Sequence, residues 1–337
     1  MNEKPVVSVI CLTFNHAKYI RECLDGFTMQ KTDFPFEVII HDDASTDETA
    51  EIIREYENAR PDIFKPIYQS ANQFTQGVDV VKQFILPRIR GTYVAWCEGD
   101  DYWTDPLKLQ KQIDFLRANP DYAVCFHPVK VHWEDGREDD TIFPTPEMRF
   151  NRSDFSLQDI LKRNFIQTNS AVYRWRFHTD SPDLIPDFIL PGDWYLHLLH
   201  AETGKIRCMD DVMAVYRRNE GGLWTGADKS PQWFRKCGEP YIEFLKHKQE
   251  YFKTDEQKEI LSILAQLLLT CEKSEDRRSV MRRYPRETNR LLTGVKNCRL
   301  RLIQAKIMKL VMPKRMKATL KKEIRFYRSI LKLREIM

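Results

Sequence analysis

Two apolar runs in the first hundred residues stop at crowded carboxylates, and this pattern limits the fold more than any other feature of the chain. Phe36 to His41 reads as a strand closed by Asp42 and Asp43. Thr92 to Cys97 reads as another, followed at once by Glu98, Gly99, Asp100 and Asp101. A third strand pattern, Val6 to Thr13, comes first in the chain. Helical patterns lie between them. Tyr19, Ile20, Cys23, Leu24 and Phe27 have near-3.6 spacing, and Ser45 with Glu48 fits a capping box opening a helix through Ile52, Ile53 and Tyr56. Strand–helix alternation predicts a mostly parallel sheet with both faces covered. In such sheets ligands bind beyond the strand ends, so the acidic residues are expected along one rim.

Carboxylates packed at a strand end repel each other and call for a compensating cation. A hard divalent ion, Mg²⁺ or Mn²⁺, does this through oxygen ligands and bridges to phosphates, which points to a metal-bound nucleoside diphosphate. The plain alternative is a solvated acidic turn, since Asp is common in turns. No Gly-x-Gly-x-x-Gly or phosphate-loop Gly-Lys-Ser/Thr signature follows these strands.

With 337 residues and 42% hydrophobic content the chain is large enough for one sizeable domain plus an appendage. Its eight cysteines include no Cys-x-x-Cys pair, which argues against zinc and redox motifs. Cys11, Cys97 and Cys125 fall inside apolar strands and read as small buried residues of a reducing compartment. No apolar leader and no 18-residue apolar run is present, so a cytoplasmic, non-spanning protein is expected. The net charge of +4 conceals an asymmetry: residues 286–337 hold 16 Lys and Arg against 3 Asp and Glu, a net +13, leaving −9 on the remainder. A basic tail on an acidic body suggests an acidic partner surface.

Further along, Asp105-Pro106 looks like a cap and first-turn proline for a helix through Leu109, Ile113 and Leu116. Tyr122 to Val131 reads as one strand, 133–150 as a loop, Asn169 to Trp175 as a strand, and Gly192 to Thr203 as a helix stopped by Gly204. Lys205 to Met209 and Val212 to Tyr216 read as short strands, and the chain turns helical from about Pro231.

Val7-Ser8-Val9-Ile10-Cys11-Leu12-Thr13-Phe14-Asn15, then His41-Asp42-Asp43-Ala44-Ser45-Thr46-Asp47, then Glu98-Gly99-Asp100-Asp101 resemble the signature series of family 2 glycosyltransferases in order and spacing, over roughly residues 5–225. The resemblance implies an α/β GT-A fold, Rossmann-like and mostly parallel, with helices on its flanks and a C-terminal helical extension. It divides the chain into a transferase domain at 1–230 (nucleotide half about 5–131, acceptor half about 150–230) and a helical basic region at 231–337. It implies inverting, metal-dependent transfer of a hexosyl or N-acetylhexosaminyl group from a nucleotide-sugar, a UDP-sugar, to a saccharide acceptor, lipid-linked, in cell-surface polysaccharide synthesis.

The family pattern assigns site residues one by one. Asp43 matches the carboxylate that accepts from the uracil ring, and Thr13 and Asn15 fall in the first nucleotide-contacting loop. Asp42 is equally readable as a turn or helix-start residue. Glu98 replaces the first Asp of the family's Asp-x-Asp-Asp. Asp101 is then the first candidate metal ligand and Asp100 the next, with Glu98 either a third or facing the ribose. Asp193, in Pro191-Gly192-Asp193-Trp194, matches the catalytic base, although a helix cap is the structural alternative. Arg217 or Arg218, in Tyr216–Trp224, matches a mobile phosphate-binding loop, and Asn219 stands where many relatives have His. His197 and His200 read more simply as satisfied helix histidines than as a metal pair, and Trp103, Trp194 and Trp224 as either sugar-stacking or packing residues.

In the tail, Leu302, Ile303, Ile307 and Leu310, then Leu320, Ile324, Tyr327 and Leu331, form apolar stripes among Lys and Arg. Such helices suit an anionic membrane surface, here through residues 295–337 at the inner face of the cell membrane. The other reading packs them on the protein. Nucleic acid is not an expected partner, because the tail lacks an aromatic stacking set. A nucleotidyltransferase would need a basic glycine-rich motif that Asn15-His16-Ala17-Lys18 does not provide. A degenerate, non-catalytic carbohydrate- or nucleotide-binding module is the remaining alternative.

Overall fold

The computed structural model describes residues 4–149, 151–187, 189–219 and 231–293, together with Ile324, Tyr327, Arg328 and Leu331. The glycine-containing stretch Glu220–Trp224 and nearly all of the basic tail lie outside the described residues. The chain divides into two units, one of residues 1–188 and 193–222, the other of 189–192 and 223–337.

The first unit opens with β1 (Val7–Thr13), α1 (Ile20–Thr28), β2 (Phe36–Asp42), α2 (Thr49–Ala59), β3 (Phe64–Tyr68), β4 (Tyr93–Trp96), β5 (Tyr102–Trp103) and α3 (Lys108–Ala118). There follow β6 (Tyr122–Phe126), β7 (Val129–Trp133), β8 (Thr141–Phe143), β9 (Asp154–Phe155), α4 (Leu157–Lys162), β10 (Val172–Arg174), α5 (Gly192–Ala201), β11 (Lys205–Cys208) and β12 (Ala214–Arg218). Eight strands form one sheet in the order β3-β2-β1-β4-β10-β6-β11-β9, and β5-β12-β7-β8 form a smaller one. The β3-β2-β1-β4 half is parallel throughout, and β10 enters antiparallel between β4 and β6. Residues on both faces of β1, β2 and β4 are buried, as expected of strands covered by helices. The apolar stripe of α1 (Ile20, Cys23, Leu24, Phe27) is fully buried against this core. Cys11, Cys97 and Cys125 are buried free thiols.

Four local expectations are corrected. Ser45 does not cap α2; its hydroxyl turns back to Asp42, and α2 begins at Thr49, whose backbone N–H donates to Asp47 Oδ1 at 3.0 Å. Asp105 and Pro106 stand before α3 rather than in its first turn, with Asp105 Oδ1 accepting from the Leu107 N–H at 2.7 Å. The run Tyr122 to Val131 breaks at His127-Pro128, where proline offers no ladder donor and restricts the residue before it, so β6 joins the large sheet and β7 the small one. The acidic stretch after residue 133 contains β8, paired antiparallel with β7.

The second unit contains α6 (Pro231–Phe252), α7 (Gln257–Thr270), α8 (Ser274–Arg283) and α9 (Pro285–Thr293). Ile242, Phe244, Leu245, Ile263, Leu264 and Leu268 are among its buried apolar residues, and Lys248 pairs with Glu256 at 2.8 Å. Ile324 and Tyr327 are buried. Among the described residues no helix is long and apolar enough to cross a membrane.

Candidate active site

Parallel pairing brings the ends of β1, β2 and β4 to one rim. Thr13 is in register with Asp42, and the Gly99 N–H donates to the Leu12 carbonyl at 3.0 Å, drawing the acidic loop across the end of β1. The loops after β1 and β2 are laced together. Asn15, in the left-handed region at φ 55° that Asn tolerates, accepts from the Thr46 N–H at 2.8 Å, and its own N–H donates to Ser45 Oγ at 2.9 Å. The Ser45 hydroxyl in turn holds Asp42, so Asp42 takes the turn role. Burial raises its carboxyl pKa, against the opposing pull of Ser45.

Asp43 is buried, and its carboxylate organises the next loop: Oδ1 accepts from Gln73 N–H at 2.7 Å and Oδ2 from Phe74 N–H at 3.1 Å. A carboxylate has about four acceptor positions, so two remain for a ligand. Phe14 and Phe74, adjoining the residues that Asp43 binds, are 42% and 55% exposed. Large exposed rings beside a polar cleft are a departure from ordinary burial that motif matching did not bring out.

Gly99 is required by close approach. A Cβ there would lie 2.8 Å from Thr13 Oγ1 and 2.9 Å from both His16 Nδ1 and Ile20 Cδ1. Thr13 Oγ1 and His16 Nδ1 are themselves buried without a hydrogen bond. Gly99→Ala is therefore expected to cost about 1–3 kcal/mol by overpacking, read in denaturant titration. An unchanged midpoint would mean that the loop can move aside.

The acidic loop is electrostatically loaded. Asp101 is buried, and burial with the charges of Asp100 and Glu98 holds its pKa well above the usual range. Glu98 is pushed up to about 8 by burial first, then by Asp100, with a contribution from Asp193. β12 supplies the counterweight, because its antiparallel pairing with β5 carries Arg217 to this loop. The Arg217 N–H donates to Asp101 Oδ1 at 2.8 Å and its Nε to the Asp100 carbonyl at 2.8 Å. Nη1 donates to Glu134 at 2.6 Å and Nη2 to Glu22, while the guanidinium lies 4.9 Å and 4.8 Å from the Tyr19 and Tyr102 rings. Arg217 is thus a clamp on the acidic loop, with each guanidinium nitrogen facing an acceptor and two of its five N–H groups left for a further partner. Arg218 differs. It lies over the Trp133 and Tyr216 rings, and its buried Nε has no hydrogen-bond partner. Asn219 donates to Asp100 Oδ2 at 2.9 Å.

Asp193 sits in the first turn of α5 and is partly buried, which raises its pKa. Thr168 Oγ1 donates to it at 3.2 Å and Asn164 Nδ2 at 3.5 Å. His197 and His200 are fully buried: His200 Nδ1 is 2.9 Å from the Leu196 carbonyl and His197 Nδ1 is 2.7 Å from the Tyr173 hydroxyl. Trp103 is core, with Nε1 donating to the Asn169 carbonyl, and Trp194 is tied to the Ile160 carbonyl. Among the described residues no three His, Cys, Asp or Glu side chains gather as a ready metal-ligand set.

This combination of parallel sheet, acidic strand ends and a loop clamped by the last strand has relatives. The description "Glycosyl transferase family 2" matches residues 8–219. An uncharacterized protein of Mycobacterium tuberculosis is 48% identical over 229 residues, 67% of this chain and 63% of that one, so the match spans under two thirds of the relative's length. A Bacillus subtilis glycosyltransferase named for teichuronic acid biosynthesis, TuaG, is 33% identical over 146 residues, 43% of this chain and 55% of its own. S. aureus TarS, crystallised with UDP-GlcNAc, superposes with a TM-score of 0.54 at 20% identity, covering 98% of this chain and 91% of that one, a likeness of fold. With the family pattern matched across nearly two thirds of its length, the chain belongs to glycosyl transferase family 2.

Proposed function

We propose that this protein is an inverting glycosyltransferase that moves a sugar from a UDP-sugar to a saccharide acceptor, lipid-linked, in cell-surface polysaccharide synthesis. The observation that carries the reading is a crowded carboxylate loop, Glu98 to Asp101, together with a separate partly buried carboxylate, Asp193, near enough to add to the raised pKa of Glu98. One group suits a diphosphate and its cation, the other suits proton removal.

Asp43 accepts from the base N–H, and the exposed Phe14 and Phe74 rings offer stacking surface in the adjoining loops. Arg218 reaches a phosphate oxygen through its unpartnered Nε. Asp193 takes the proton from the acceptor hydroxyl as that oxygen attacks the anomeric carbon opposite the departing diphosphate, which inverts configuration without a covalent enzyme intermediate.

The residues fit a hard divalent ion, because their donors are carboxylate oxygens whose mutual repulsion it would relieve. Asp101 and Asp100 would hold Mg²⁺ or Mn²⁺, with phosphates and water completing the shell, and Glu98 would join only by losing its proton. Such an ion supplies Lewis-acid stabilisation to the leaving diphosphate. The basic residues in 295–337 would add attraction to an anionic membrane that carries the acceptor.

The test is calorimetric titration of nucleoside diphosphates with Mn²⁺, with Mg²⁺ and with chelator. UDP is expected to bind at least about tenfold more tightly with metal, and Asp101→Ala to lose that difference. Absence of nucleotide binding under every condition would sink the donor site and leave a degenerate module as the better reading.

A further inference from the structure

The side-chain contacts to Asp193 all fall on one of its oxygens. Thr168 Oγ1 and Asn164 Nδ2 donate to Oδ2 at 3.2 Å and 3.5 Å, and His197 Nε2 stands 4.0 Å from the same atom. We propose that Asn164, Thr168 and His197 are positioning residues that fix Oδ2 and so assign the acceptor's proton to Oδ1. The inference rests on the reading of Asp193 as the base.

Each of the three is held from behind. Asn164 Oδ1 accepts from the Ile166 N–H at 3.1 Å, which orients its amide with Nδ2 toward Asp193. Thr168 opens a 3₁₀ turn, Thr168–Ser170, whose Asn169 Nδ2 donates to the Val215 carbonyl at 2.9 Å. His197 is fully buried, and burial lowers its pKa to about 3, so it is a neutral imidazole with one donor and one acceptor nitrogen. The facing carboxylate selects the tautomer with the proton on Nε2. Nδ1 is then the acceptor, and the Tyr173 hydroxyl at 2.7 Å donates to it. Tyr173 is also fully buried, and burial pushes its own ionisation well up, so it stays a donor. His197 Nε2 has no hydrogen bond in this structure although it is buried. It stands 4.0 Å from Oδ2, with the Ile166 carbonyl as another acceptor beside the imidazole, and a shift of Asp193 toward it would close the contact. Catalytic hydrogen bonds commonly tighten in this way when substrate binds.

The arrangement has a chemical consequence. Donors on Oδ2 stabilise the ionised carboxylate that burial disfavours, while they keep the more basic lone pairs of Oδ1 for the reaction. The titratable groups facing Asp193 are Glu98 from the loop after β4, Tyr173 from β10, and His197 on its own helix. Among side chains, the uncharged Thr168 and Asn164 donate and His197 stands within reach; the Trp194 backbone N–H adds a donor that does not titrate.

The test is infrared titration of the full chain labelled with ¹³C-aspartate, with the Asp193 band identified by its loss in Asp193→Asn. Thr168→Val and His197→Met are each expected to raise the Asp193 midpoint by about one pH unit, a tenfold change in its ionisation constant. His197→Gln, which keeps a donor near the Nε2 position, should return most of the shift. A merely structural role would move stability but not this midpoint. UDP affinity reports whether each variant is folded, and the isosteric Thr168→Val is the safeguard if His197→Met fails. An unmoved midpoint in both Thr168→Val and His197→Met overturns the inference. Turnover of UDP-glucose, UDP-galactose, UDP-GlcNAc and UDP-GalNAc by Asp193→Asn tests the underlying reading separately. Full turnover there would remove Asp193 as base, whatever its midpoint does.

Discussion

Replacing Asp193 with Asn is expected to lower the rate of sugar transfer by about 10²–10⁴-fold while UDP affinity changes by no more than about twofold. Asn preserves the shape and still accepts from Thr168 and Asn164, so the fold and the donor site have no cause to change. What it lacks is the ability to take a proton. An acceptor hydroxyl is a weak nucleophile, so the loss falls on the chemical step rather than on binding. The pH profile follows from the raised pKa of this carboxyl, which burial causes. The base works only when ionised, so wild-type kcat should rise with pH through that elevated value. The residual activity of Asp193→Asn should lack the same limb. Steady-state kinetics with parallel calorimetry checks both halves. A variant that retains transfer would show that Asp193 is a first-turn helix residue and that the base lies elsewhere.

The parts of this site that could be read in the sequence are those that local pattern determines. Apolar runs ending in Asp42-Asp43 and Glu98–Asp101 do form strands, one on each side of β1, with those residues at one rim, because strand–helix alternation favours parallel pairing. Ser45 shows where local pattern misleads. Its spacing to Glu48 satisfies the capping rule, yet Asp42 and the Asn15 N–H compete for the same hydroxyl and win. Arg217 shows a second limit of local pattern. A basic residue beside a glycine-containing loop reads as a phosphate ligand, and nothing local announces its partners Glu22, Asp100 and Glu134, which come from three distant segments that only the fold unites. Asn164 and Thr168 carry no motif, since the role proposed for them depends on a carboxylate 29 and 25 places away. Side-chain chemistry set by tertiary contact leaves no periodic trace in one sequence.

Lys108 is the largest departure from what its surroundings in sequence imply, and it yields the second large effect. It opens α3 at a position that reads as a solvent-facing helix start, yet the structure leaves it no exposed surface. Its Nζ donates to Gln112 Oε1 at 2.8 Å and lies 4.1 Å from the centre of the Trp103 ring. Gln112 in turn donates to the carbonyls of Cys125 and Ser170. No ion pair of Lys108 is found among the described residues, and burial lowers its pKa to about 7. In the unfolded chain the same lysine keeps its ordinary value, so between about pH 7 and 10.5 the unfolded state binds the extra proton. Stability from this site therefore rises with pH across that window, and the cost of burying the charge is fully present below it. The total swing is on the order of 5 kcal/mol. Lys108→Met removes the titration while keeping the volume, at the expense of leaving Gln112 Oε1 without its donor, a loss of about 1–3 kcal/mol that does not depend on pH. Denaturant titrations should then show the wild type gaining on Lys108→Met by about 1.4 kcal/mol per pH unit between pH 7.5 and 9.5. The size of the gap at any one pH mixes charge burial with the stranded Gln112 acceptor. Its slope reports the lysine alone, and a gap that stays constant with pH would mean that Lys108 remains charged in the fold.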